Sequence, residues 1–137
     1  MTELELSNNS IDDDGAKAIA ESLKVNTVLT RLILGGNSIG DDGAKAIAEA
    51  LKDNTVLTKL SLQGDSIGVD GAKAIAEALK VNTVLTTLHL SFNSIGDNLL
   101  NDTTKLIDAN KNRNAIAAIL SRMQMNEQIA DIQIKCC

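Results

Sequence analysis

The chain has 137 residues, 44% of them hydrophobic, and its 18 acidic against 13 basic residues give a net charge of -5. That is enough apolar material for one domain with a core, but it offers no basic stripe, so nucleic acid and an acidic membrane surface are disfavoured as partners. Phe92 is the single aromatic residue, which removes the usual stacking platforms for bases, sugars and Pro-rich peptides.

No apolar run approaches the roughly 18 residues a membrane span needs, and Met1-Thr2-Glu3 begins no secretory leader, so a cytoplasmic chain is expected. From Met1 to Val28 the chain carries a degenerate copy of a 28-residue unit, with Met1, Leu4, Leu6, Asn9 and Ile11 at its key positions. The unit then returns as residues 29–56 and 57–84, which agree at 22 of 28 positions, so the period is beyond doubt and marks a solenoid. Leu29, Leu32, Leu34, Asn37 and Ile39 open the second copy, and Leu57, Leu60, Leu62, Asp65 and Ile67 open the third. Alternation in Leu-x-x-Leu-x-Leu predicts a short strand with one face buried, and the Asn at its end has an amide and a carbonyl to satisfy backbone in the turn.

After Ile39, Gly40-Asp41-Asp42-Gly43 predicts a turn with Asp41 as the N-cap of a helix. Ala44, Ile47, Ala48 and Leu51 then recur at helical spacing, with Lys45, Glu49 and Lys52 on the wet side. Asn54-Thr55 turns the chain towards the next strand. Leu85, Leu88, Leu90, Asn93 and Ile95 open a fourth copy, residues 85–112. From Asn98 the period fades, with Leu99 where Gly71 stood and Thr103 where Ile75 stood, and a fourth helix is expected over 99–110. Residues 113–137 read as a helical C-terminal cap and tail: 114–123 has a helical period, and helix is preferred over strand for Gln128–Lys135.

The Leu-x-x-Leu-x-Leu-x-x-Asn-x-Ile motif resembles the ribonuclease-inhibitor-like leucine-rich repeats, the 28-residue type also found in NOD-like receptor sensor regions and the Ran GTPase-activating protein. The resemblance implies an α/β fold: a right-handed solenoid, or short horseshoe, with a parallel sheet on the concave face and helices on the convex face. It also implies a protein partner bound on the concave face. Two departures stand out, Asp65 for the ladder Asn and Val69 for the capping Asp.

Catalytic and metal chemistry find little support. His89 is the only histidine and is expected to face out beside Ser91, without the buried carboxylate and strained nucleophile a triad needs. Asp12-Asp13-Asp14 and Asp41-Asp42 lack the ligand spacing of a calcium loop, and no glycine pattern matches a phosphate cradle, so no cofactor or metal is expected. Ile119, Met123 and Met125 are expected to face the core from the cap, and Cys136-Cys137 reads as two frayed thiols.

A non-enzymatic protein-interaction module is therefore expected. Outward strand positions should form columns, Glu3, Arg31, Lys59 and Thr87 in the first, Glu5, Ile33, Ser61 and His89 in the second, and Ser7, Gly35, Gln63 and Ser91 in the third. Arg31, Ile33, Lys59, Ser61, Gln63, Thr87, His89 and Phe92 are the expected partner contacts, because the two best copies differ at such positions while their packing positions stay fixed. Two other readings stand beside this one: a segment of a larger or self-associating solenoid, and a regulator of a small GTPase. The uncovered first strand predicts a weak homo-oligomer.

Overall fold

In the computed structural model, the backbone of residues 2–135 and the side chains of residues 2–123 are described. Each Leu-x-x-Leu-x-Leu stretch forms a three-residue strand: β1 Glu3–Glu5, β2 Arg31–Ile33, β3 Lys59–Ser61 and β4 Thr87–His89. The helices that follow are α1 Asp13–Val25, α2 Asp41–Asp53, α3 Val69–Leu79 and α4 Asp97–Lys135. The strands make one parallel sheet in chain order, and the register is the sequence period itself, Leu4 beside Leu32, Leu60 and Leu88. Leu32, Leu34, Ile39, Ile47, Leu51, Leu57, Leu60, Leu62, Ile67 and Ile75 are fully buried between sheet and helices. Each such side chain contributes about 2 kcal/mol of transfer free energy.

Parallel strands this short leave most of the backbone polar groups of each repeat outside the sheet, and side chains one repeat away satisfy them. Asn37 accepts at Oδ1 from the N–H of Asn9 (2.9 Å) and Ile11 (3.0 Å), and its Nδ2 donates to Leu6 O and Leu34 O. Asn93 does the same for the third repeat through Ile67 N, Leu62 O and Leu90 O. On the other side of each helix, Asn54, Asn82 and Asn110 each donate to carbonyls of the preceding repeat. The hydroxyls of Thr30, Thr58 and Thr86 donate to the carbonyl oxygen 28 residues earlier.

The capping differs from the sequence expectation. Asp41 is not the N-cap of its own helix; Gly40 holds that position and has no side chain to offer. Asp41 instead reaches forward, its Oδ1 accepting from Gly68 N (2.7 Å) and Gly71 N (3.0 Å) at the start of α3. Asp13 serves α2 in the same way through Gly40 N and Gly43 N, both at 2.8 Å. The helices come close enough for this because Gly43 has no side chain: a Cβ there would lie 2.9 Å from Ala16 Cβ and 2.8 Å from Asp13 Oδ1. Unlike α2 and α3, α1 caps itself, with Asp12 accepting from Gly15 N.

Val69 has no carboxylate, so the start of α4 lacks this forward cap, and Gly96 adopts φ 88° where Gly40 and Gly68 hold φ -102° and -103°. Leu99, in place of the close-contact glycine, holds α4 away from α3 and opens a recess of about 600 Å³ between them, floored by Ala76 and Leu106. With no glycine or proline after Gly96, α4 runs unbroken for 39 residues, longer than expected, and Asn110 lies inside it where Asn26 and Asn54 end their helices. A helical C-terminal element is thus present and its backbone extends through Gln128–Lys135, but residues 111–123 are all exposed and do not cover the core. Ile119 and Met123, expected to face inward, are 54% and 53% exposed, because beyond Asn110 the helix has left the last repeat. The side chain of Met125, together with Met1, Cys136 and Cys137, lies outside the described residues.

Asp65 is the ladder's weak member. Its Oδ1 accepts from Asn37 N (3.1 Å) and Ile39 N (3.3 Å), but Oδ2 is buried without a hydrogen-bond partner among the described residues. Burial pushes its carboxyl up from 3.8 to about 6 against the pull of those two N–H groups. The folded protein thus holds this proton more tightly than the unfolded chain. The group's contribution is most favourable below about pH 4, is lost as pH rises through about 6, and is level above that.

Asp65→Asn supplies the missing donor and is expected to raise the unfolding free energy at pH 7 by on the order of 1 kcal/mol. The gap between variant and wild type in urea melts should narrow at pH 4; an equal or negative gap at pH 7 would refute the account. Asp41→Ala removes two charge-assisted bonds at the start of α3 and should cost about 2 kcal/mol in the same melts, whereas Val69→Ala should cost well under half of that.

Candidate functional site

The outward positions of the four strands do form the expected columns. Glu3, Arg31, Lys59 and Thr87 are neighbours in register, as are Glu5, Ile33, Ser61 and His89. Their side chains stand on the sheet face opposite Leu4, Leu32, Leu60 and Leu88, because strand residues alternate. Ile33, Lys59, Ser61, Gln63 and His89 come together around a shallow recess of about 290 Å³, with Glu3 and Glu5 on its near side. Arg31 and Thr87 flank it in the first column. The face is mixed in charge: Arg31 Nη1 lies 3.6 Å from Glu3 Oε2, both half-exposed, so the positive spot made by Arg31 and Lys59 is offset at its edge. The Glu5 carboxyl sits below its usual range, first through hydrogen bonds from Ser7 and last through nearby Lys59.

Glu3 and Glu5 are the residues a list of partner contacts drawn from the most similar copies leaves out. Their signal is positional, 28 residues before Arg31 and Ile33. Ser61, expected as a contact, is only 7% exposed and supplies the floor of the recess more than its rim. Gly35 also proves constrained, since a Cβ there would lie 2.8 Å from Gln63 O, so the glycine is required by the approach of the next repeat. His89 is exposed and makes no hydrogen bond to a carboxylate among the described residues, and no group of three potential metal ligands occurs among them. Among those residues no helix is long and apolar enough to cross a membrane.

Where the strands leave the sheet, a second recess of about 390 Å³ has the bare backbone of Gly36 and Gly64 as its floor and Phe92 at its margin. Phe92 is 80% exposed. It also holds φ 59°, the left-handed region, at the position filled by Asn8 (φ 58°), Gly36 (φ 71°) and Gly64 (φ 73°) in the other repeats. Asn and Gly tolerate that conformation, whereas a phenylalanine pays about 1–2 kcal/mol for it. A large apolar ring, exposed and strained, gains nothing for the fold where it stands.

The family model for the leucine-rich repeat matches residues 1–20, 25–48, 53–76 and 81–98, in phase with the four strands. No curated protein sequence matches the chain. Among solved structures, the chain is similar to the leiomodin-1 actin-binding site 2, at 25% identity and a TM-score of 0.77, covering 91% of this chain and 89% of that one. It is also similar in fold to the tropomodulin C-terminal domain of Caenorhabditis elegans, at 11% identity and a TM-score of 0.57, covering 87% of this chain and 89% of that one.

Phe92→Gly should relieve the backbone strain and raise stability by about 1 kcal/mol in urea melts. Phe92→Ala keeps a Cβ in the left-handed region and should leave stability nearly unchanged. Equal effects of the two substitutions would show that the ring, and not the conformation, sets the energy of this site.

Proposed function

This chain belongs to the leucine-rich repeat family, and we propose that within it the chain is a non-enzymatic module that binds a protein partner on the concave strand face. The observation that carries the reading is Phe92, a strained and 80% exposed aromatic at the end of a sheet face whose other repeats use Asn or Gly there. Strain of this kind is retained where it serves contact, and buried aromatic anchors dominate interface energies. Arg31, Lys59 and His89, with Ile33, Gln63 and Thr87 around them, supply the charged and polar rim, and Ser61 the floor. Mixed charge of this kind governs association rate and partner choice more than the lifetime of the complex.

Actin is the first partner to test, because the structure named for leiomodin-1 actin-binding site 2 matches 91% of this chain. A cytoskeletal partner also fits a cytoplasmic setting. Purified actin, as monomer and as filament, would be presented to the wild type and to a variant with Arg31, Lys59, His89 and Phe92 all replaced by Ala. Capture by the wild type, with loss of at least about tenfold in affinity for the variant and an intact helical circular-dichroism signal, is the expected result. Capture that survives in this variant but is lost on changing Lys45 and Glu49 on the convex side would overturn the concave assignment. No capture by the wild type would remove actin as the partner.

A further inference from the structure

Every internal strand junction is made by the same backbone donors and acceptors, and the β1 and β4 edges carry the two unmated halves of that set. At the β2–β3 junction, Thr30 O accepts from Thr58 N, Lys59 N and the Thr58 hydroxyl, while Leu34 N and Gly36 N donate to Ser61 O and Gln63 O. At the β4 end, Thr86 O and the N–H groups of Leu90, Phe92, Asn93 and Ile95 have no partner among the described residues. At the β1 end the N–H groups of Thr2 and Glu3, Glu5 O and Asn9 Oδ1 are equally free among those residues, while Ser7 O, the acceptor in line with Phe92 N, takes a bond from its own chain's Asn9 Nδ2 (3.0 Å).

Side chains repeat the pattern. Leu4 is 41% exposed where Leu32 and Leu60 are fully buried, and Ser22 is exposed where Ala50 and Ala78 are fully buried. Thr104 is exposed in the row whose members Ala20 and Ala48 are 1% exposed against the following helix. A recess of about 160 Å³ lined by Leu4, Ile19 and Leu29 opens at one end, and one of about 170 Å³ lined by Leu88, Thr103 and Ile107 at the other.

We propose that the β1 edge of one copy pairs in parallel with the β4 edge of a second copy, so that chains stack head to tail and continue the 28-residue register. Glu3 then lies beside Thr87, Leu4 beside Leu88 and Glu5 beside His89. Two-fold pairing of β1 with β1 would instead bring Glu3 and Glu5 of both copies together, and like charges on adjacent strands are destabilising. A head-to-tail contact does not close on itself, so it yields chains of variable length, each carrying the concave face repeated at every protomer.

Sedimentation of the 137-residue chain tests this. The weight-average mass of the wild type should rise at least about twofold between roughly 10 µM and 1 mM, without a plateau at the dimer, as edge contacts with Kd near 100 µM would give. Ser22→Arg blocks the β1 end and Thr104→Arg blocks the β4 end; each variant alone should sediment as one protomer, and their mixture should form a one-to-one dimer. A wild type of constant single-protomer mass, a variant that still associates by itself, or a mixture without the dimer would each overturn the proposal. If either Arg variant loses its helical circular dichroism, Ser22→Glu and Thr104→Glu at the same exposed positions replace the pair, with the same outcomes required.

Discussion

The structure depends on one constraint: the polar backbone of each repeat is satisfied by side chains of its neighbouring repeats. Strands of three residues make too few ladder bonds to hold a sheet, and a buried, unpaired N–H or carbonyl costs about 1–3 kcal/mol. Asn37 and Asn93 each close several such groups, Asn54 and Asn82 do so on the other side of the helices, and Asp13 and Asp41 reach forward to the next helix start. Stability is therefore a property of junctions more than of repeats, as expected of a quasi-one-dimensional fold. One change at a ladder position acts on two repeats at once, which is why the Asp65 carboxylate, with an oxygen buried and unpartnered, matters beyond its own turn.

The same constraint separates where the chain is free to vary from where it is not. Inward leucines and ladder residues are fixed by contact with both neighbours, and even Gly35, on the outer face, is held by the approach of Gln63 O. What remains variable is the middle of the concave face. There three adjacent strands place Arg31, Lys59, Ile33, Gln63 and His89 within one shallow recess or at its edge, although they come from three repeats. Phe92 breaks the rule in the other direction, occupying a left-handed position that its counterparts leave to Asn or Gly. The loss of the forward cap at Val69 and of the small contact residue at Leu99 together end the regular stacking of helices.

The geometry of the candidate site was largely legible in the sequence. Columns such as Glu5, Ile33, Ser61 and His89 follow from strand alternation and a fixed period, and Phe92 stands out as the single aromatic. Its strain was not legible, because a sign of φ is not encoded by residue type when the residue is Phe. The covering of Ser61 and the offset of Arg31 by Glu3 were not legible either, since both depend on the reach of side chains across strands.

By itself, the sequence determined the repeat, its register and which leucines and isoleucines of the repeats face the core. Apolar burial at a period of 28 residues admits one stacking of strand on strand and helix on helix, and a slip would expose every leucine of the unit. Only the tertiary structure decided which repeat each Asp caps, because the target N–H groups lie 27 and 30 residues away and are brought near by glycines that let the helices touch. It also decided the course of α4: helical periodicity fixed that residues beyond 112 coil, but whether the coil folds back on the core depends on a turn, and after Gly96 no glycine or proline supplies one.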